Sequence, residues 1–186
     1  KVGKDVSIGS NVTIKGKVTL GDDVRVASNV VLTNSKIGNS SEIKEFCSVE
    51  NSVIAKNVEV GPFARLRNGA VLDDSSKVGN FVEIKKSKIG QGSKANHHAY
   101  LGDATIGKKV NIGAGTITCN YDGKEKHKTK IDDSSFIGTN ASLVAPLKIG
   151  KKSYVAAGSV ITTNVPSESL AFGRAKQNTK KNWKKK

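Results

Sequence analysis

A chain of 186 residues with 19 glycines, no methionine, one tryptophan and 5% aromatic residues is long enough to bury a good core as one domain. It has no stretch near 18 apolar residues, which excludes a transmembrane helix. Its opening, KVGKDVSIGSNV, lacks the apolar block of a signal peptide, so a cytoplasmic protein is expected. The net charge of +15 suits small substrates that carry phosphates, and Cys47 and Cys119 are too few and too far apart for a disulfide framework or a metal-ligand set.

Taken in chain order, the apolar residues recur every six positions: Val2, Ile8, Ile14, Leu20, Val26, Leu32. A five-residue step leads to Ile37, Ile43, Val49, and another to Ile54, Val60, Leu66, Leu72, Val78, Ile84. Then come Ile89, Ala95, Leu101, then Ile106, Ile112, and past residue 130 Ile131, Ile137, Leu143, Ile149, Val155, Ile161. Of these 26 positions only Ala95 is not Val, Ile or Leu, and a second small or apolar residue often follows four places later, as at Val18, Val24, Val30 and Cys47. A period of six rotates around a helix, and a single strand has a period of two. Short strands joined by corners satisfy it: three hexads make one triangular coil, and 26 hexads make eight to nine coils stacked in parallel.

The pattern breaks in three places. The polar segment TCNYDGKEKHKTK, 118–130, reads as a loop thrown out of the prism, with YDG as its turn. The segment KANHHAYLGDA, 94–104, puts His97, His98 and Tyr100 into one repeat. After Val165-Pro166 the hexads stop, giving a solenoid over 1–165 and an irregular or partly helical arm and basic tail over 166–186. Six lysines in KQNTKKNWKKK read as a solvated tail, with an anionic ligand or nucleic acid as the functional alternatives.

Coil arithmetic brings several polar residues together. Arg67 and Lys85 are 18 residues apart, one turn, and Glu83 and Tyr100 are 17 apart across a five-residue step, also one turn. With His97, Asn111 and Lys126 of the loop, they form an expected basic patch holding an imidazole, a carboxylate and a phenol. Acyl transfer to a sugar amine needs such a set. A neutral imidazole takes the proton of the attacking amine, and a carboxylate orients it. Arginine and lysine hold a phosphate, and backbone N–H groups receive the oxyanion. Each residue also has a plainer reading: corner histidine, salt-bridged Glu83, solvated Lys85, and a corner asparagine at Asn111. A zinc site would need three converging histidines, whereas His97 and His98 are adjacent, on opposite faces, and His127 is on the loop; no metal is expected.

The hexads resemble those of the hexapeptide-repeat transferases, which implies an all-β fold, the left-handed parallel β-helix. The stretches GPFARLR and VGNFVEIKKSKIGQGSKANHHAYLGDATIGKKVNIGAGTITCNYDGKEKHKT, with LVAPLKIG, YVAAGSVIT and LAFGRAKQ, are similar to a narrower family. These are the carboxy-terminal halves of the bifunctional N-acetylglucosamine-1-phosphate uridyltransferase/glucosamine-1-phosphate acetyltransferases. The resemblance covers essentially the whole chain. It implies acetyl transfer from acetyl-CoA to glucosamine 1-phosphate, for UDP-N-acetylglucosamine synthesis.

In that resemblance His97 is the base and Glu83 its orienting carboxylate, and Arg67, Lys85, Tyr100, Asn111 and Lys126 bind the sugar phosphate. Ala114, Asn120, Tyr121, Thr139, Ala157, Arg174 and Lys180 contact acetyl-CoA. It further implies a homotrimer with sites shared between chains. Thr139 stands where the family carries serine, His98 where it carries an apolar residue, and Lys176 where proline is common. The chain begins mid-repeat at Lys1, so the uridyltransferase domain and its Mg²⁺ are expected outside it. The alternatives are another hexapeptide acyltransferase, acting on a nucleotide sugar or amino acid, or a non-catalytic basic solenoid that binds nucleic acid.

Overall fold

The computed structural model describes residues 1–181 and 183; the part of the basic tail at 182 and 184–186 lies outside the described residues. It contains 27 strands of two to four residues, all paired in parallel in three sheets. Face A has eight strands, from Thr19–Leu20 to Leu147–Ile149; face B has ten, from Ser7–Ile8 to Leu170–Ala171; face C has nine, from Thr13–Lys15 to Val160–Ile161. The chain visits A, B and C in turn, so three strands close one triangular coil. Nine coils stack, and a tenth strand adds to face B. Register partners are mostly 18 or 17 residues apart, as in Leu66↔Ile84 and Ile84↔Leu101; across the extruded loop they are 25 apart, as in Ile112↔Ile137, and at the last strand 16, as in Tyr154↔Leu170.

The six-residue period follows from this geometry. A strand of two or three residues is as long as a side of the triangle, and the apolar residue at its centre points inward. Leu32, Ile43, Leu66, Ile84, Leu101 and Ile137 are fully buried in one continuous core, each worth about 1.5–3 kcal/mol against exposure. The corners need a left-handed backbone, and most carry residues that tolerate it: Asp23 (φ 58°), Asn29 (φ 60°), Asn57 (φ 57°), Ser75 (φ 57°). The second inward position frequently holds serine, a choice that the apolar pattern did not reveal. Ser87 Oγ donates to Lys85 O (2.9 Å) and accepts from Ala104 N (2.8 Å), so its burial leaves no orphaned hydroxyl.

Three boundaries differ from the sequence reading. Thr118 fills an inward place that the aliphatic count passed over: it is buried, and its Oγ1 accepts from Gly102 N at 2.8 Å. The loop therefore starts after the strand Ile117–Cys119 and ends before Thr129–Ile131. The arm begins with a strand, Leu170–Ala171, paired to Tyr154–Val155, and holds no helix among the described residues. No helix of the described residues is long and apolar enough to cross a membrane.

Candidate active site

The corner between faces B and C divides the candidate residues into two groups, where the sequence suggested one patch. On face C the coil arithmetic holds: Arg67 lies beside Lys85, and Glu83 beside Tyr100. Arg67 Nε donates to Glu83 Oε1 at 2.5 Å. The loop folds back over this face and brings Lys126 against Lys85. The hydrogen bond and charge of Lys85 hold the Lys126 ammonium below the usual lysine range, with Asp103 and Tyr100 pulling the other way.

Gly102 makes the cluster possible, because a Cβ there would lie 2.5 Å from the Tyr100 hydroxyl and 2.9 Å from Asn120 Nδ2. Asn120 is buried, and its Nδ2 donates to Asp103 Oδ2 (2.6 Å), anchoring the base of the loop. Tyr121 is exposed, with its hydroxyl on Gly123 O (2.7 Å). The tip is an Asx turn in which Asp122 accepts from the backbone N–H groups of Glu125 and Lys124 and from His127 Nε2. These bonds hold its carboxyl well below the usual carboxylate range.

His97 lies on face B. It ends the strand Lys94–His97, and its Nδ1–H donates to Asn80 Oδ1 at 2.7 Å, one coil below. With the proton on Nδ1, Nε2 keeps its lone pair. Glu83, across the corner and engaged by Arg67, is not the group that orients this ring within one chain; Asn80 is. A groove of about 250 Å³ lies beside the imidazole, lined by Lys44, Glu59, Lys77, Asn80 and Asn96. His98 is the corner residue itself (φ 43°), its ring tilted 31° against Phe81 at 5.0 Å, so the two imidazoles part at a corner rather than across a strand.

Above His97 runs a column of small residues. The registers Ala95↔Ile112, Ile112↔Ile137 and Ile137↔Val155 place His97, Ala114, Thr139 and Ala157 directly over one another, two residues further along each strand. The column ends at the arm, where Phe172, Arg174, Ala175, Lys176 and Gln177 line a groove of about 390 Å³. Asn111 shares face B but sits over Lys94, three residues and about 10 Å along the strand from the column. Lys180 Nζ lies 5.5 Å from the centroid of the Trp183 ring. Sequence reasoning missed Asn80, Gly102 and Asp103. The signal for Asn80 was its 17-residue distance from His97, the same interval that joined Glu83 to Tyr100.

No group of three or more His, Cys, Asp or Glu side chains arranged to hold a metal occurs among the described residues.

Comparison with known proteins places this architecture. Family profiles match residues 1–78, as the GMPPB C-terminal domain, and residues 128–163, as the hexapeptide repeat of succinyl-transferase. A UDP-N-acetylglucosamine acyltransferase from Arabidopsis superposes with a TM-score of 0.81 at 18% identity, over 91% of this chain and 66% of that one. Perosamine N-acetyltransferase from Caulobacter crescentus, in complex with CoA and GDP-perosamine, gives 0.54 at 23% identity over 61% and 53%. The shared fold is the left-handed parallel β-helix of the hexapeptide-repeat acyltransferases.

Much closer in sequence are the bifunctional proteins GlmU of Thermosipho melanesiensis, 58% identical over 183 residues, and of Acinetobacter baylyi, 54% over 185. They align with 98% and 100% of this chain, which spans only 40% and 41% of their length. The chain belongs to the GlmU family, as the part that forms the β-helix.

Proposed function

We propose that this chain transfers an acetyl group from acetyl-CoA to the amine of glucosamine 1-phosphate, releasing CoA and N-acetylglucosamine 1-phosphate. The observation that carries this reading is the apposition of Lys85 and Lys126 beside Arg67. Two ammonium groups held together without an anion are costly, and a phosphate dianion between them turns the repulsion into charge-assisted hydrogen bonds. The identity to GlmU proteins supports the same activity.

The chemistry follows from His97. Its Nδ1–H is held by Asn80, so Nε2 accepts the proton that the amine must lose. The amine then attacks the thioester carbonyl, the tetrahedral oxyanion collapses, and the C–S bond breaks to release CoA thiol. The column Ala114, Thr139, Ala157 leads from the imidazole to Arg174 and offers room for an extended donor, since it presents methyl and hydroxyl groups instead of long side chains. Asn120 and Tyr121, at the base of the loop, and Lys180 complete the proposed CoA contacts; Tyr100 and Asn111 complete those to the sugar.

His97 lies on face B and the Arg67–Lys85 pair on face C, on either side of the B–C corner, so we read the two as half-sites. A homotrimer in which face B of one chain meets face C of the next joins them and explains why the loop leans over face C. The test is thiol release from acetyl-CoA with glucosamine 1-phosphate against glucosamine. Release that depends on the phosphate is expected; equal release with both sugars refutes the role of the lysine pair, and none with either refutes the reaction.

A further inference from the structure

The extruded loop has no hydrophobic reason to stand where it does. Of residues 121–128, only His127 is partly buried, and every other is exposed. The loop also works against charge. It holds the Lys126 ammonium against that of Lys85, and the pull of Asp103 and Tyr100 on Lys126 is the smaller effect. Hydrogen bonds must therefore supply the restraint that packing does not.

Two separate fastenings do so. At the base, Asp103 takes both ends of the loop. Its Oδ2 accepts from Asn120 Nδ2 at 2.6 Å where the chain leaves the prism, and its backbone oxygen accepts from the Thr129 N–H at 3.3 Å where the chain returns. At the tip the chain doubles back as a small hairpin. Tyr121 and Lys126 form an antiparallel bridge, and the His127 N–H donates to Asn120 O at 2.8 Å. Gly123 makes the turn with a left-handed backbone (φ 101°).

The hairpin closes on one carboxylate. Asp122 Oδ1 accepts from the N–H groups of Lys124 (2.8 Å) and Glu125 (2.7 Å), and its Oδ2 lies 2.7 Å from His127 Nε2. An ionised carboxylate only accepts, so His127 carries a proton on Nε2 and donates it here. Lys126 thus sits between two residues tied to the same side chain: Glu125 by its backbone and His127 by its ring.

We propose that Asp122 and His127 form a latch that positions Lys126 for the phosphate of the sugar substrate. The proposal rests on the reading of Lys126 as a phosphate ligand and adds the residues that hold it in place. Both act through Lys126, so they are positioning residues. A loop restrained in advance leaves less ordering to be supplied on binding. The latch therefore shows in the KM for glucosamine 1-phosphate, and much less in kcat or in the KM for acetyl-CoA. The base fastening through Asp103 does not depend on the tip, so Asn120 keeps its place when the latch is opened.

The test is steady-state kinetics of Asp122→Ala, His127→Ala, His127→Gln, Lys126→Ala and the double variant Asp122→Ala/Lys126→Ala. Asp122→Ala and His127→Ala raise the KM for glucosamine 1-phosphate about three- to tenfold, with kcat and the KM for acetyl-CoA within about twofold. His127→Gln, whose amide N–H can reach the same carboxylate, stays near wild type. In the double variant the effect of Asp122→Ala disappears, because no ammonium is left to position.

An Asp122→Ala effect that persists undiminished in the Lys126→Ala background overturns the latch. So does a His127→Gln variant no better than His127→Ala, or a KM that neither Asp122→Ala nor His127→Ala moves while Lys126→Ala raises it. Each of these leaves the phosphate reading standing. A Lys126→Ala variant with the wild-type KM for glucosamine 1-phosphate overturns that reading and the latch with it, and a wild type without turnover overturns the reaction as well.

Discussion

Face A and the B–C corner are built on the same inner repeat and differ only outside. Inside, both present the same ladders of buried Val, Ile and Leu. Outside, face A mixes Lys36, Lys88, Lys130 and Lys148 with Thr19, Val53, Val71 and Thr105, and its lysines are solvated or paired, Lys88 to Asp73 at 3.1 Å and Lys130 to Asp132 at 3.2 Å. The two faces at the B–C corner carry His97, the small-residue column, and the Arg67–Lys85–Lys126 cluster. The difference teaches that the hexad fixes the scaffold, while chemistry is written in outer-surface residues that recur once per coil, every 17 or 18 positions except across the extruded loop.

The comparison is broken most directly at His97. His97→Ala lowers turnover by about 10²–10⁴-fold in the thiol-release assay and leaves the KM for acetyl-CoA within a few-fold. Asn80→Ala acts through the tautomer, so it lowers kcat less than His97→Ala and leaves both KM values within a few-fold, a split that a general structural loss would not make. Next in size is Gly102→Ala. The added methyl collides with Tyr100 and Asn120, so the variant loses about 1–3 kcal/mol in thermal unfolding and binds the sugar phosphate weakly.

Lys126→Ala raises the KM for glucosamine 1-phosphate at least tenfold with a smaller change in kcat. The sign of its stability effect is opposite. The folded pKa of Lys126 is depressed by Lys85, so its charged form opposes folding at neutral pH and the penalty fades as pH rises through that lowered value. Removing the charge therefore leaves the unliganded protein equally or more stable, as urea unfolding would show.

Alkylation sharpens the contrast between interior and site. Burial pushes the Cys47 thiol up to about 11, while Cys119 is only half-buried beside Asn120. One thiol, Cys119, reacts in the native protein; acetyl transfer falls with its modification, and bound CoA slows it. Mass spectrometry counts the labels. The smallest effect is on face A: Lys36→Ala changes neither turnover nor stability beyond about 0.5 kcal/mol. A larger loss there would show that the outside of face A also carries function.

Most of the fold was legible because burial imposes a strict period. A missed inward place, Thr118, is the exception that shows why: its hydroxyl is satisfied by Gly102 inside the prism, so it obeys geometry without obeying hydropathy. The pairs Arg67–Lys85 and Glu83–Tyr100 were legible by the same counting. The partner of His97 was not. Glu83 is near in sequence and has the right chemistry, yet it lies around the corner from the imidazole and is held by Arg67, while Asn80 looks like any corner asparagine until the register is counted. The split of the site over two faces was likewise hidden, because sequence distance gives height along the axis but says little about how far a side chain reaches past a corner.

Because each coil is bonded only to the one above and the one below, the molecule behaves as a one-dimensional stack. Amide exchange and thermal melting should then proceed as fraying from the two ends, where Ile8 and Ile14 are exposed and Leu170 is uncovered, toward the centre. The coils from Arg67 to Ile112, with His97 and the Arg67–Lys85 pair, lie in the middle of that stack and loosen last, whereas the proposed donor column climbs to Arg174 at the arm, so donor binding should fail on warming before the sugar-phosphate half of the site does.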